Sequence, residues 1–179
     1  GARAAQREAL ELDEAVNDTQ DLVFRLSGLG HIALTFGQYE EADELLTRAL
    51  DLTKEIHERY AEVGVRHGLC ILRLAEGDPT RALEHANEAL VGATELENPN
   101  LVAYGRILVG DVHLALGDLD ASESSYQVVA DDGEHHTFGA AIGLADVALA
   151  RGDKGRALDL VTPLLDDALS GRMIEADDV

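Results

Sequence analysis

Few side chains of this sequence combine the residue type and the spacing that catalysis requires. Cys70, the one cysteine of the chain, could act as a nucleophile if its thiol were ionised. It stands forty residues after Gly30 and forty before Gly110. This spacing indicates a crowded position for a small residue, so we favour a buried, inert thiol. Gly28 and Gly30 do not predict a phosphate-binding loop, because no strand precedes them. We expect both to be small residues at tight helix crossings instead. The sequence therefore predicts no catalytic residue and no cofactor site.

The seven histidines of the chain do not show the spacing of a metal site. His135 and His136 are adjacent, and adjacent residues on a helix do not face each other. Together with Asp131, Asp132 and Glu134 they could hold a cation loosely, but a solvated loop is the favoured interpretation. We therefore predict no metal site.

A set of arginines could bind an anion. Arg66 and Arg73 lie on one stripe of a predicted helix, and Arg106 and His113 occupy the same places forty residues later. Two interpretations stay open. In one, the arginine stems pack between helices while their heads pair with carboxylates of the second helix of a pair. In the other, the guanidinium heads emerge at a groove and take an acidic ligand, which makes Arg66, Arg73 and Arg106 candidate anion contacts.

The formal net charge of −21 argues against a nucleic acid partner, because the chain would repel phosphates at long range. The acidic residues either keep the chain soluble or steer a basic partner towards it. The sequence contains no run of about 18 apolar residues, so no membrane span is predicted. A single cysteine favours a reducing compartment, and we expect a cytoplasmic protein.

The elements that would position these side chains are clearest between Leu29 and Leu52, where the pattern predicts a helix, a tight turn and a second helix. Small and large residues alternate there at the spacings that let two antiparallel helices pack closely. The unit recurs, since its turn glycine returns after 40, 40 and 35 residues and a small residue follows five positions later. The glycines are Gly37, Gly77, Gly117 and Gly152, and the small residues are Ala42, Ala82, Ser122 and Ala157.

This arrangement resembles the tetratricopeptide repeat, whose pattern is W-x2-L-G-x2-Y…A-x3-F. Leu29 and Gly30 match the pattern, whereas Leu26, Ala33 and Leu46 stand where it has Trp, Tyr and Phe. The period of forty is similar to the long-helix repeats of bacterial transcriptional regulators. The resemblance implies an all-α fold, a right-handed α-solenoid of antiparallel pairs with a helix A and a helix B in each unit. A HEAT-like solenoid has a similar period but lacks the phased turn.

The repeat phase divides the chain into six segments. Residues 1–18 are the second helix of a truncated preceding repeat, residues 19–58, 59–98, 99–133 and 134–170 are four repeats, and residues 171–179 are a tail or the start of a further helix. Pro163 is expected to kink or end the last helix. Because a solenoid repeat buries its apolar face only against neighbours, we expect either self-association through the exposed terminal helices or a longer array.

The resemblance also implies that the A helices line a concave face that contacts partners. Tyr104 is the best single anchor on this face, because aromatic side chains often dominate interface energies. The Lys and Asn pattern with which some family members clamp a terminal carboxylate is absent. Carried over position by position, the face comprises Phe24, Ser27, His31, His67, Ile71, Leu74, Tyr104, Ile107, Asp111 and Asp146.

The favoured function is a non-catalytic scaffold that binds a protein or peptide and belongs to a larger intracellular protein. The alternative is a ligand- or peptide-sensing module of a multidomain bacterial transcriptional regulator. A nucleotide-binding loop before this segment and a helix-turn-helix after it would favour the alternative. An enzyme is the third and weakest hypothesis.

Overall fold

The computed structural model describes residues 19–133 and 136–169. Over these residues the chain forms eight helices and no strand. The helices are α1 (Thr19–Thr35), α2 (Tyr39–Ile56), α3 (Arg59–Ala75), α4 (Pro79–Glu95), α5 (Pro99–Leu116), α6 (Leu119–Asp132), α7 (Thr137–Ala150) and α8 (Lys154–Leu169). The predicted all-α fold is therefore confirmed, and no described helix is both long and apolar enough to cross a membrane.

The chain folds as two compact units, Gly1–Gly105 (unit 1) and Arg106–Val179 (unit 2), which divide within α5. In unit 1, α1 packs on α2 and α3, α2 packs on α3, and α3 packs on α4. In unit 2, α6 packs on α7 and α7 packs on α8. Helices that are neighbours in the chain are thus neighbours in space, as short connections between antiparallel helices require.

The four predicted turn glycines end the A helices. Gly77 has a φ of 77°, a left-handed conformation that costs an L-residue energy but costs glycine little. Its N–H donates to the carbonyl of Leu74, and the N–H of Asp78 donates to the carbonyl of Arg73, which together form a Schellman motif. The Asp78 side chain then accepts from the N–H of Arg81 and caps α4. The same pair of backbone bonds recurs at Gly37, Gly117 and Gly152.

The core of unit 1 is formed by leucine, valine and alanine side chains from α1, α2 and α3. Gly30 on α1 allows the closest approach, because a Cβ added there would lie 2.6 Å from Cγ of the fully buried Leu46. Ala42 and Ala82, which follow the turn glycines, are fully buried. The cluster consists of Leu22, Leu26, Ala33, Ala42, Leu46, Ala49, Leu50, Val65, Leu69 and Leu72.

Tyr126 on α6 is fully buried at the centre of unit 2. Its ring lies between Gly110 on α5 and Gly143 on α7, where added Cβ atoms would lie 2.6 Å and 2.4 Å from Tyr126 Cε1. The Ser122 hydroxyl, also on α6, donates to the Gly110 carbonyl at 2.9 Å. Two glycines therefore make room for one large aromatic side chain. The regular spacing of the four turns did not predict this packing.

Two expectations need correction, and others concern residues that the structure does not describe. Pro163 does not end the last helix, because α8 continues through it to Leu169. Gly28 is not at a tight crossing, since a Cβ added there would meet nothing within 4 Å. Other predicted segments lie outside the described residues, namely the helix within residues 1–18, the pair Glu134–His135 and the tail from residue 171. The repeat boundaries stay a prediction.

Candidate functional site

In unit 1 the A-helix residues named from the resemblance lie on three helices. Phe24, Ser27 and His31 are on α1, Ile71 and Leu74 are on α3, and Tyr104 is on α5; we call these six residues the unit 1 face. Phe24 is 46% exposed, and the other five are partly buried. Apolar and aromatic side chains therefore remain accessible on helices whose opposite sides are packed in the core.

His67, the seventh predicted residue of unit 1, lies beneath this face. It is 4% exposed, and its ring meets the Tyr104 ring edge-on, with the two centroids 4.7 Å apart and the planes at 83°. Burial, with a smaller contribution from the charge of His31, lowers the pKa of His67 to about 4. His67 is therefore neutral at physiological pH, and it supports Tyr104 instead of presenting a charge to a partner.

His31 lies next to His67 on the neighbouring helix. Its Nδ1 is 2.8 Å from the carbonyl oxygen of Ser27, so a proton on Nδ1 donates to that oxygen. The His31 ring also fills the space beside Gly68, where an added Cβ would lie 2.9 Å from His31 Cε1. The side chain is therefore held in one orientation by α1 and α3 together.

The arginines of α3 are engaged by carboxylates. Arg66 forms ion pairs with Glu62 at 2.8 Å and with Glu88 of α4, and Arg73 forms ion pairs with Glu76 at 2.7 Å and with Asp43 of α2. This is the arrangement of the first interpretation, with packed stems and heads paired with carboxylates of B helices. An acidic ligand at Arg66 or Arg73 would have to displace these carboxylates, and anion contacts there and at the partly buried Arg106 stay a prediction.

The stripe has a further member, Arg59, which was not among the predicted residues. Arg59 pairs with Glu62 at 2.9 Å and with Glu95 of α4 at 2.6 Å. Arg59, Arg66 and Arg73 are seven residues apart, as are Glu88 and Glu95 on the antiparallel helix. The arginines on α3 and the glutamates on α4 both repeat every seven residues, and this shared spacing was the sequence signal that could have predicted the ion pairs between the two helices.

In unit 2, Asp111 and Asp146 lie near Tyr126, and Ile107 packs between α5 and α7. Ile107 of α5 is 9% exposed and contacts α7 at Gly139, where an added Cβ would lie 3.0 Å from Ile107 Cδ1. Asp111 of α5 accepts a 2.6 Å hydrogen bond from the Tyr126 hydroxyl. Burial raises the pKa of Asp111, the Tyr126 hydrogen bond lowers it, and the nearby Asp146 carboxylate of α7 raises it further. The net pKa shift is upward.

The remaining chemical candidates take structural positions. Cys70 is fully buried, in the crowded environment that the repeat phase predicted. In the part of the chain that the structure describes, no group of three or more His, Cys, Asp or Glu side chains is placed to hold a metal ion.

Comparisons with known proteins agree with this geometry. Two family models described as tetratricopeptide repeat match the chain, one over residues 26–59 and one over residues 139–161. The crystal structure of BtubC (BKLC) from P. vanneervenii superposes with a TM-score of 0.80 over 96% of this chain and 73% of that chain. At 20% identity it shows a common fold alone. No curated protein matches the chain. The predicted resemblance to the tetratricopeptide repeat is therefore confirmed, and the repeat is recognised within residues 26–59 and 139–161 of this chain.

Proposed function

We propose that this chain is a non-catalytic module that binds a protein or peptide, and that the unit 1 face is a binding surface for it. Tetratricopeptide repeats generally mediate protein interactions, which supports the class of partner. The surface supports it as well, because it combines apolar side chains with a few polar groups on rigid helices. That mixture suits an extended or helical peptide better than a small polar metabolite.

The observation that carries the proposal is the position of Tyr104. Its ring is held edge-on by the buried His67, and the side chain is still partly accessible. A pre-positioned aromatic ring loses little conformational entropy when a partner packs on it, which is why tyrosines are common binding hot spots. Ile71, one turn after His67 on α3, provides an adjacent apolar contact.

The experiment is selection of a phage-displayed random peptide library on the full chain, followed by affinity measurements on the selected peptides. Tyr104→Ala should weaken binding by about 1–3 kcal/mol and leave the helical circular dichroism unchanged. Tyr104→Phe should retain most of the affinity, because it keeps the ring.

Glu40→Gln is the control, since Glu40 is exposed at the start of α2. Asp43, three residues later on α2, is not a suitable control because it pairs with Arg73. Peptides that lose affinity with Glu40→Gln and not with Tyr104→Ala would place the binding surface on the acidic B helices and defeat the proposal.

A further inference from the structure

The A helix of unit 2 leaves apolar side chains uncovered. Ile142 and Leu149 of α7 are 39% and 52% exposed, and the exposed Asp146 lies between them on the same helical stripe. On a helix that also contributes six buried residues to the core, this stripe is a second, opposite face. It has the anchor spacing with which helices contact partners.

Asp111 lies beside this stripe on α5. The contact of Ile107 with Gly139 brings the two A helices together, and the Tyr126 hydroxyl fixes the Asp111 carboxylate at 2.6 Å. The charge of Asp146 acts on both Asp111 and Tyr126. Two carboxylates on adjacent helices therefore repel each other at the edge of an apolar surface, and one of them is held in place.

We propose that the unit 2 face, formed by Asp111, Ile142, Asp146 and Leu149, binds a peptide segment that presents one Lys or Arg side chain between apolar side chains. The cation would lie between the two carboxylates and remove their repulsion, while its apolar neighbours would cover Ile142 and Leu149. This inference rests on the proposed function of peptide binding and specifies the chemistry of the partner.

Charge complementarity selects this occupant over the alternatives. In unit 2, Arg151 and Arg156 are bound to Glu123, and the groups that shift the pKa of Asp111 include no cation. A second copy of the chain is disfavoured by its net charge of −21. A metal ion would need more than two carboxylates to be held by protein ligands alone.

The test uses the same peptide library, selected on the full chain. We expect selected peptides with a Lys or Arg flanked by apolar residues. Asp146→Asn should weaken such a peptide roughly fivefold, and Asp111→Asn at least as much because its carboxylate is more buried. Changing the peptide's basic residue to Gln should abolish the sensitivity to Asp146→Asn.

Asp159→Asn on the exposed surface of α8 removes the same charge and should leave affinity unchanged. Asp111→Asn keeps an oxygen that can accept the hydrogen bond from the Tyr126 hydroxyl, and both substitutions relieve a charge repulsion, so neither variant should unfold the chain. Peptides whose affinity depends on Tyr104 and not on Asp146 would overturn this inference and leave the proposed function intact. If no peptide is selected on the wild-type chain, both proposals fail. If calorimetry detects heat of binding when calcium chloride is titrated into the wild type but not into Asp146→Asn, the ligand of this face is a metal ion and not a peptide.

Discussion

At the scale of single residues, the distance between two packed helices depends on which glycine faces the neighbouring helix. Gly28 and Gly30 are two positions apart on α1, and both were expected to lie at tight helix crossings. A Cβ at Gly30 would meet Leu46, whereas a Cβ at Gly28 would meet nothing within 4 Å. The pair therefore separates two effects of glycine, one on helix stability and one on packing.

We predict opposite results for the two alanine substitutions. Gly28→Ala should stabilise unit 1 by about 0.5–1 kcal/mol, because alanine is the better helix former. Gly30→Ala gains the same helix propensity but overpacks the buried Leu46, at a cost of about 1–3 kcal/mol. Thermal and urea unfolding of both variants would measure the difference, and equal stabilities would show that the α1–α2 crossing is looser than described.

At the scale of elements, α3 and α4 are joined by alternating charges as well as by their apolar sides. Glu62 is 9% exposed and lies between Arg59 and Arg66. Burial raises the pKa of Glu62, but hydrogen bonds from Arg59 and Arg66 outweigh that effect and hold the pKa below its usual value. The ion pairs of Glu62 therefore stabilise the fold at pH values above the pKa of Glu62 in the unfolded chain. This stabilisation is lost as the pH falls through the pKa of Glu62 in the folded chain.

Arg66→Met should destabilise the chain by about 1–3 kcal/mol at neutral pH, because it leaves Glu62 with one fewer cation in a buried site. The deficit should shrink as the pH falls through the lowered pKa of Glu62 in the wild type, below which the carboxyl group is protonated in both variants. Unfolding midpoints measured across pH would test this. Arg81→Met is the matched control, since Arg81 is 67% exposed and its pair with Asp78 is long, at 3.5 Å. A deficit independent of pH would mean that Arg66 stabilises through its packed stem alone.

Particular residues show where the sequence was informative. Gly77, Asp78 and Pro79 specify a turn by their own backbone preferences, so it could be predicted without knowing the partner helix. The pairing of Arg73 with Asp43 could not, because it depends on the offset between α2 and α3, which the pattern along one helix does not contain. The same limit applies to Tyr126, whose burial depends on glycines 16 residues before it and 17 after it.

At the scale of the whole molecule, the net charge of −21 produces a field that reaches beyond any single site. Such a field raises the rate at which cations encounter the protein and has less effect on how long they stay bound. The negative charge therefore favours a basic partner by raising its association rate, while the unit 2 face would determine where that partner binds.

We predict that a selected basic peptide will associate about tenfold more slowly when ionic strength rises from about 20 to 150 mM. Its dissociation rate should change much less. Stopped-flow fluorescence with the labelled peptide would measure both rates, and its Gln-substituted version is the control. An association rate that does not depend on salt would argue that the acidic surface serves solubility alone.

The glycine-ended turns also bear on how the chain folds. Each Schellman motif and each Asp cap is made by residues within six positions of one another, so a hairpin can close before distant parts of the chain meet. Folds in which most contacts are local in sequence have low contact order and cross their folding barrier in microseconds to milliseconds. The side chains that we propose to contact partners, such as Tyr104 and Asp146, lie outside these turns. Recognition can therefore change by substitution on the A helices while the early steps of folding stay the same.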